Sequence, residues 1–294
     1  MITVSVSQIT KGRTVFIIAH RLAAIRTATR IITIEGGRIA RSVGAGHRLQ
    51  VRGNMRANTS RSARFAFDRI VDAYDLARPC FGDDTIARLI DMANHPAGSM
   101  VLEIGSGTGQ LTAGLLRVNP GAYPYLEVRV ETFEGFDTTA KCPALFAANA
   151  FHWLDPAVSY AKAETLLLAK GALCLIWNVP ILADAALQRR LNEHLFSGDL
   201  ADLRREPTEY AEQLASLLED GCQELKAQFA GEVQWEIHTR SRSLSIDRYV
   251  DLLNSYANAA DARSSLALGV ARICGTLDGV EIDDHEDLCV AKKH

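Results

Sequence analysis

Residues 99–117 read Ser99-Met-Val-Leu-Glu-Ile104, Gly105-Ser-Gly107-Thr-Gly109 and Gln110-Leu-Thr-Ala-Gly-Leu-Leu-Arg117. The first run is apolar and strand-sized, the second is a glycine turn, and the third has the residue spacing of a helix. A strand, a glycine turn and a helix in that order predict the ligand-binding start of a doubly wound α/β sheet. Glycine permits positive φ angles, and it lets a ligand approach the backbone because no Cβ stands in the way.

The spacing of the glycines distinguishes two kinds of nucleotide-binding turn. A dinucleotide fingerprint is GxGxxG, whereas here Gln110 stands where the third glycine would be, so the pattern is GxGxG with Glu103 two residues before it. This pattern resembles motif I of class I S-adenosylmethionine-dependent methyltransferases. A NAD(P)-binding turn and a purely structural turn are the alternatives. The resemblance implies that the amino-acid end of S-adenosylmethionine is surrounded by Glu103, Gly105, Ser106, Gly107, Thr108 and Gly109.

Further segments match the same family in the expected order. Asn149–Pro156 is very similar to the segment after the fourth strand in a methyltransferase group often labelled type 11, and Thr132–Glu134 resembles the strand end near the adenine. Lys170–Asn178, Ser243–Tyr256 and Asp287–Lys292 resemble the fifth strand, a late helix and the last strand. The resemblance implies a Rossmann-like methyltransferase sheet with a helical insert, preceded by a short N-terminal α/β fragment.

The resemblance also assigns roles to single side chains around the cofactor. Tyr74 and Arg78 would close the pocket from the N-terminal side, with plain helix packing as the alternative. His152 is the candidate general base because a neutral imidazole titrates near working pH, and the alternative for it is packing around the cofactor. The methyl acceptor is expected to be a small molecule. The positions implied to contact S-adenosylmethionine outside motif I are Tyr74, Arg78, Glu131, Phe133, Glu134, Asn149 and Phe151.

The segment after the glycine turn is shorter than the family pattern requires. In the family an acid about twenty residues after the first glycine binds both ribose hydroxyls. Only 46 positions separate Gly105 from Phe151, so we expect the second strand and its acid to be deleted. If Leu126–Val130 takes the place of that strand, Glu131 or Glu134 would lie near the ribose as a substitute. Otherwise cofactor affinity would fall about 30- to several-thousand-fold.

The first 64 residues differ in charge from the rest of the chain. Their net charge is +11, which leaves −14 for residues 65–294. Residues 11–50 resemble the end of an ABC-transporter ATPase domain, in which the histidine at His20 contacts the γ-phosphate of ATP. No P-loop sequence GxxxxGK[ST] occurs in the chain, and that loop is needed to cradle the phosphates. We therefore expect an ABC-like fragment without ATPase activity at 1–45, a basic linker at 46–64 and a methyltransferase domain at 65–294.

Composition restricts the remaining classes of function. The chain is 48% hydrophobic and 23% charged, and no apolar run approaches the roughly 18 residues of a membrane span. Six cysteines lack any CxxC pair, so neither a zinc site nor a redox dithiol is expected, and the location is expected to be cytoplasmic. No aromatic residue interleaves the basic linker to stack on bases, which argues against nucleic acid. The hypotheses are an active methyltransferase, a catalytically impaired relative that only binds, and an ABC-transporter component.

Overall fold

A β-hairpin and a five-stranded sheet are the two β-structures in the parts of the chain that this computed structural model describes. Those parts are residues 30–35, 38–44, 78, 80–123, 132–204, 225–227, 229, 231–256, 262–275 and 277–294. The hairpin pairs Arg30–Glu35 (β1) with Arg38–Gly44 (β2) in antiparallel register. Tyr74, Glu131 and the basic linker lie outside the described residues.

The five-stranded sheet is mixed and has the strand order β3-β4-β5-β7-β6. β3, β4 and β5 are parallel to one another, whereas β7 is antiparallel to both of its neighbours. Buried apolar runs form the centre of the sheet, because strands covered on both faces need no polar alternation. The strands are Leu102–Ile104 (β3), Cys142–Ala148 (β4), Leu167–Leu182 (β5), Val233–Ser245 (β6) and Gly279–Lys292 (β7).

Six α-helices of nine or more residues lie in the described ranges, and three of them begin at a side-chain cap, from Asp155, Asp184 and Ser245. The carboxylate of Asp155 accepts the backbone N–H of Ala157, with Pro156 at the first helical position. Asp184 caps the following helix in the same way, and such caps satisfy N–H groups that have no partner inside the helix. The helices are Asp83–Ala93 (α1), Gln110–Val118 (α2), Pro156–Leu166 (α3), Ala185–His194 (α4), Ile246–Asn254 (α5) and Ala262–Cys274 (α6).

Helices cover both faces of the sheet. On one face α1 and α2 bury Ile86, Leu89 and Leu111 against Phe146 and Ile176 of the strands. On the other face α3 packs over a second cluster of apolar side chains, and α4, α5 and α6 form a third cluster beside the sheet. The predicted α/β class is thereby confirmed. Among the described helices, none has the length and hydropathy to span a bilayer.

Two features of the sheet differ from the sequence-based expectation. The late helix predicted over Ser243–Tyr256 begins only at Ile246, because Ser243–Ser245 belong to the end of β6. The last strand begins at Gly279, eight residues before the predicted Asp287. Both differences arise because β6 and β7 pair with each other over thirteen residues of β6. This long-range pairing extends through Thr239–Ser243 and Asp283–Glu286, whose polar side chains carry no apolar strand pattern.

Candidate functional site

The glycine turn follows β3 at the edge where the parallel strands end, which is where α/β sheets bind ligands. All three of its glycines have positive φ: +69° at Gly105, +56° at Gly107 and +89° at Gly109. A Cβ on Gly105 would lie 2.6 Å from the Cβ of Ala150, whereas a Cβ on Gly107 would meet nothing closer than a backbone oxygen at 3.8 Å. Gly105 therefore allows β3 and β4 to end close together, and Gly107 faces open space.

Glu103 places a carboxylate beneath this turn. Its Oε2 accepts a hydrogen bond from the Thr112 hydroxyl of α2 at 2.5 Å. Its Oε1 is shielded from solvent and has no partner among the described residues. Burial raises the pKa of Glu103 to about 7, against the opposite influence of the Thr112 hydrogen bond. The predicted acid of motif I is thus a carboxyl group with one oxygen unsatisfied, and its charge is sensitive to what binds beside it.

Two more polar atoms at the turn lack partners within the described part of the chain. They are the hydroxyl oxygen of Thr108 and the side-chain nitrogen of Gln110, both shielded from solvent. Buried polar groups in native proteins are almost always hydrogen-bonded, since an unmade bond costs about 1–3 kcal/mol. Three orphaned polar atoms around one glycine turn are what a site for a polar ligand is expected to show.

Asn149 follows directly after β4 and forms hydrogen bonds with β5. Its φ is +48°, which asparagine tolerates better than most residues. Its side-chain Oδ1 accepts the backbone N–H of Asn178 at 3.1 Å, and its own N–H donates to the carbonyl of Ile176 at 2.9 Å. These bonds fix the turn that leads into the 3₁₀ helix Phe151–Trp153. Asn149 therefore acts on the backbone that carries the next two candidate residues.

Phe151 and Phe133 join β3 in one apolar cluster. Both are buried, and both pack in the cluster that contains Ile104 at the end of β3. The backbone carbonyl of the neighbouring Glu134 accepts a hydrogen bond from the ammonium group of Lys162 in α3 at 2.9 Å. The structure thus gathers the motif I turn, the Phe133–Glu134 segment and the Asn149–Phe151 segment at one edge of the sheet.

The indole of Trp177 determines the proton position on His152. Trp177 Nε1–H donates to His152 Nδ1 at 3.1 Å, and an indole nitrogen can only donate. Nδ1 is therefore the acceptor, and the neutral ring carries its proton on Nε2. The protein packed around the ring lowers the pKa of His152. The role of general base stays a prediction, and proton uptake by His152 would require the loss of the Trp177 hydrogen bond.

Arg78 contacts the two residues that follow α5, Ser255 and Tyr256. Its guanidinium lies 3.3 Å from the centroid of the Tyr256 ring and donates to the Ser255 hydroxyl at 3.1 Å. This contact links the segment before α1 to the helical part of the molecule. No pattern in the sequence pairs Arg78 with Ser255, since the two residues are 177 positions apart.

Three side chains with contacts at the site carried no predicted role. The hydroxyl of Thr112 donates to Glu103 and the indole of Trp177 donates to His152. The third is Asn178, which donates its backbone N–H to Asn149 and whose buried side-chain amide has no partner among the described residues. Trp177 and Asn178 are adjacent in the fifth strand, where two residues with hydrogen-bonding side chains interrupt an apolar run. That interruption is the one signal in the sequence that points toward them.

Comparison with known proteins finds methyltransferases by sequence. An uncharacterised methyltransferase of Mycobacterium tuberculosis is 29% identical over 135 residues, which are 40% of this chain and 54% of the relative. An uncharacterised methyltransferase of Mycobacterium bovis gives the same figures. The chain thus spans about half the length of these curated relatives. No family model matches the chain.

A shorter match concerns a transporter. The β-(1→2)-glucan export ATP-binding/permease protein NdvA of Bradyrhizobium diazoefficiens is 49% identical over 41 residues, 14% of this chain and 7% of that protein. The match agrees with the resemblance of residues 11–50 to an ABC-transporter segment. It is confined to a small fraction of either protein.

Comparison of folds gives the same class as the longer sequence match. The structure of a provisionally assigned type II methyltransferase from Anaeromyxobacter dehalogenans superposes with a TM-score of 0.51 at 16% identity, covering 74% of this chain and 99% of that one. At this identity the likeness establishes the fold, which is the Rossmann-like fold of class I methyltransferases.

Proposed function

The chain has methyltransferase homologues in sequence and the class I methyltransferase fold, and from this premise we propose that it is an S-adenosylmethionine-dependent methyltransferase acting on a small-molecule acceptor. The observation that carries the proposal is the unmet hydrogen-bonding capacity at the glycine turn. Glu103, Thr108 and Gln110 each present a shielded polar atom without a described partner.

The residues at the turn fit a nucleoside with an amino-acid tail. Gly107 leaves open the space that a Cβ would enter, and the N-terminus of α2 begins at Gly109. Backbone N–H groups at a helix start attract an anionic group such as a carboxylate. Glu103 supplies an acceptor for an ammonium or hydroxyl group. The turn therefore offers donors and acceptors for both ends of an amino acid.

S-adenosylmethionine would supply an electrophilic methyl group on a sulfonium, which is already an excellent leaving group. The protein then has to hold the acceptor in line and exclude water, and positioning of this kind accounts for most of the rate in such displacements. Phe133 and Phe151 line the apolar side of the edge. His152, with its proton on Nε2, provides a hydrogen-bond donor that can orient an acceptor oxygen or nitrogen.

A second candidate, a relative that binds but does not turn over, is favoured by one observation. In the described part of the sheet, β3 pairs with β4 alone, and the chain between Gly105 and Phe151 is short. We propose that Glu131 or Glu134 substitutes for the missing ribose acid. Measuring cofactor affinity in Glu131→Gln and in Glu134→Gln tests this substitution, and an unchanged affinity in both variants would count against it.

Calorimetry with S-adenosylhomocysteine tests the proposed cofactor site. We expect measurable heat with the unmodified protein and at least about tenfold weaker binding for Gly107→Ala, because the new methyl group enters the ligand space; tenfold corresponds to about 1.4 kcal/mol. The matched control is Gly275→Ala. Gly275 also has a positive φ, +63°, and open space for a Cβ, so it carries the same backbone strain away from the site.

The two variants separate strain from ligand binding. If Gly275→Ala weakens binding as much as Gly107→Ala, the effect is one of folding and the site is not at the turn. If the unmodified protein gives no heat and no thermal shift with millimolar S-adenosylhomocysteine, the proposed function is wrong. Methyl-group transfer to candidate acceptors, followed by mass spectrometry, then distinguishes the enzyme from the binding-only relative.

A further inference from the structure

Three acids of the last strand are buried, and two of them have cationic partners. Asp284 is 0% exposed and pairs with Arg242, with 2.5 Å between Nε and Oδ2. Glu286 is 1% exposed and accepts Arg240 at 3.2 Å together with the backbone N–H of Gly82. Pairing is the normal condition for a buried carboxylate, because the desolvation cost of the charge must be offset.

Asp287 is the exception among these three acids. It is 1% exposed, and its Oδ1 is shielded from solvent without a hydrogen-bond partner in the described residues. No described cation forms an ion pair with it. Burial raises the pKa of Asp287 to about 7. The Asp287 carboxyl group therefore lies where its negative charge is costly, and no cation of the described residues offsets that charge.

The position of Asp287 connects it to the candidate active site. In the sheet register its Cα partner on β5 is Trp177 and its partner on β6 is Ile237. Directly opposed residues share one face of a sheet, with Cβ atoms about 4.5–5.5 Å apart. The indole of Trp177 in turn donates to His152. Asp287 thus lies directly opposite Trp177, whose indole holds His152, the side chain proposed to orient the methyl acceptor.

The titratable groups near Asp287 do not replace a partner. His285 is two residues earlier on the same face of β7 and interacts with the Thr239 hydroxyl at 3.1 Å. Burial lowers the pKa of His285, which disfavours its cationic form. Ile237 is apolar, and His152 is reached only through Trp177. The described groups beside Asp287 therefore offer no positive charge to its ionised form, which a cationic ligand would stabilise.

We propose that Asp287 is the acceptor-binding carboxylate of this site and that the acceptor is an amine, which enters as its ammonium form. This inference rests on the proposed methyltransferase function. An ammonium group offsets the buried charge, which a hydroxyl group cannot do. One proton then passes from nitrogen to the carboxylate: the N–H bond breaks, an O–H bond forms on Asp287, and nitrogen keeps the lone pair. The neutral amine is the nucleophile that methylation requires.

Benzylamine and benzyl alcohol are matched probes for this subsite. They have the same ring and nearly the same shape, and they differ in the group that can carry a positive charge. We expect protein saturated with S-adenosylhomocysteine to bind benzylamine at least about tenfold more tightly than benzyl alcohol in calorimetry at pH 8. Asp287→Asn should abolish this preference and leave the S-adenosylhomocysteine affinity unchanged.

Asp283→Asn is the control variant. Asp283 lies four residues earlier on the same strand and the same face, and its carboxylate accepts the Ser241 hydroxyl at 2.5 Å. The preference for benzylamine should persist in this variant. If Asp287→Asn does not fold, carbon-13 NMR of the unmodified protein provides the test, because benzylamine should lower the pKa of the Asp287 carboxyl group and benzyl alcohol should not.

The outcomes separate this inference from the proposed function. Binding of S-adenosylhomocysteine without any preference for benzylamine overturns the assignment of Asp287 and leaves the methyltransferase proposal standing. A preference that survives in Asp287→Asn overturns it as well. Absence of S-adenosylhomocysteine binding is a failure of the proposed function itself.

Discussion

The hydrogen bond between Trp177 and His152 fixes the tautomer of the neutral histidine, while the role of His152 as general base stays a prediction. A neutral histidine whose Nδ1 accepts an indole N–H carries its proton on Nε2 and can only donate there. No pattern in the sequence indicates that the two side chains meet, because His152 lies in the 3₁₀ helix after β4 and Trp177 lies in β5, 25 positions later.

Removal of the indole N–H should raise the pKa of His152. In Trp177→Phe the neutral imidazole loses the hydrogen bond that stabilises it, so protonation becomes easier by about half to one pKa unit. Nitrogen-15 NMR of the imidazole across pH 5–8 would measure both this shift and the tautomer. A ring that carries its proton on Nδ1 in the unmodified protein would contradict the assignment.

Single residues of the site were predictable where their role depends on local backbone shape. Gly105, Gly107 and Gly109 follow from the motif because positive φ is a property of a few adjacent residues. Asp287 and Arg78 could not be assigned partners in the same way. Their environment is set by strand register and by contacts across more than a hundred positions, and no short-range pattern contains that information.

At the scale of elements, the contact between α1 and α2 depends on one missing side chain. Gly114 of α2 faces Ile86 of α1 so closely that a Cβ at Gly114 would lie 2.0 Å from the Ile86 Cδ1. Ile86 is fully buried, so it has little room to move. This approach seats α2, and with it the glycine turn at its start, against the sheet.

Gly114→Ala should therefore destabilise the protein despite the higher helix propensity of alanine. Overpacking of a tight core costs about 1–3 kcal/mol, which exceeds the gain of roughly 1 kcal/mol from removing a helical glycine. Ile86→Val removes the clashing methyl group, so the double variant should lose less than the sum of the two single losses. Denaturant unfolding of all four proteins measures this, and strict additivity would contradict the contact.

The elements of the first half of the sheet were predictable, and those of its antiparallel edge were not. β3 and α2 follow directly from residues 99–117, and the resemblance placed β4 before Asn149 and β5 at Lys170–Asn178. β6 begins with alternating apolar and polar side chains, at Val233, Trp235 and Ile237, and its second half alternates Arg240 and Arg242 with small polar residues. Both arginines pair with buried acids of β7, so this half of the strand is stabilised by partners that its own sequence does not reveal.

For the whole molecule, the raised pKa of Asp287 predicts a specific dependence of stability on pH. An acid with a folded-state pKa of about 7 and an unfolded value near 3.9 is protonated more readily in the folded state. Its burial carries no ionisation cost below about pH 4, and that cost grows as pH rises to about 7. Glu103 acts in the same direction, whereas the lowered pKa values of His152 and His285 oppose it near pH 6.5.

The difference between Asp287→Asn and the unmodified protein isolates one of these groups. We expect the two free energies of unfolding to be similar at pH 4.5 and the variant to be more stable at pH 8, by on the order of 2–4 kcal/mol. Urea unfolding at both pH values, with Asp283→Asn as the reference, measures the difference. A variant that is less stable than the unmodified protein at pH 8 would show that Asp287 is paired in the folded state.

The placement of β7 affects how this fold can be assembled during synthesis. β7 follows β5 and β6 in the chain and lies between them in space. In a nascent chain that has emerged only as far as residue 278, β5 and β6 each have an edge with unsatisfied backbone hydrogen bonds. β7, the strand that pairs with both edges, is not yet present. Such edges are sites of intermolecular pairing, so ribosome-bound intermediates ending before Gly279 should be the species that chaperones recognise.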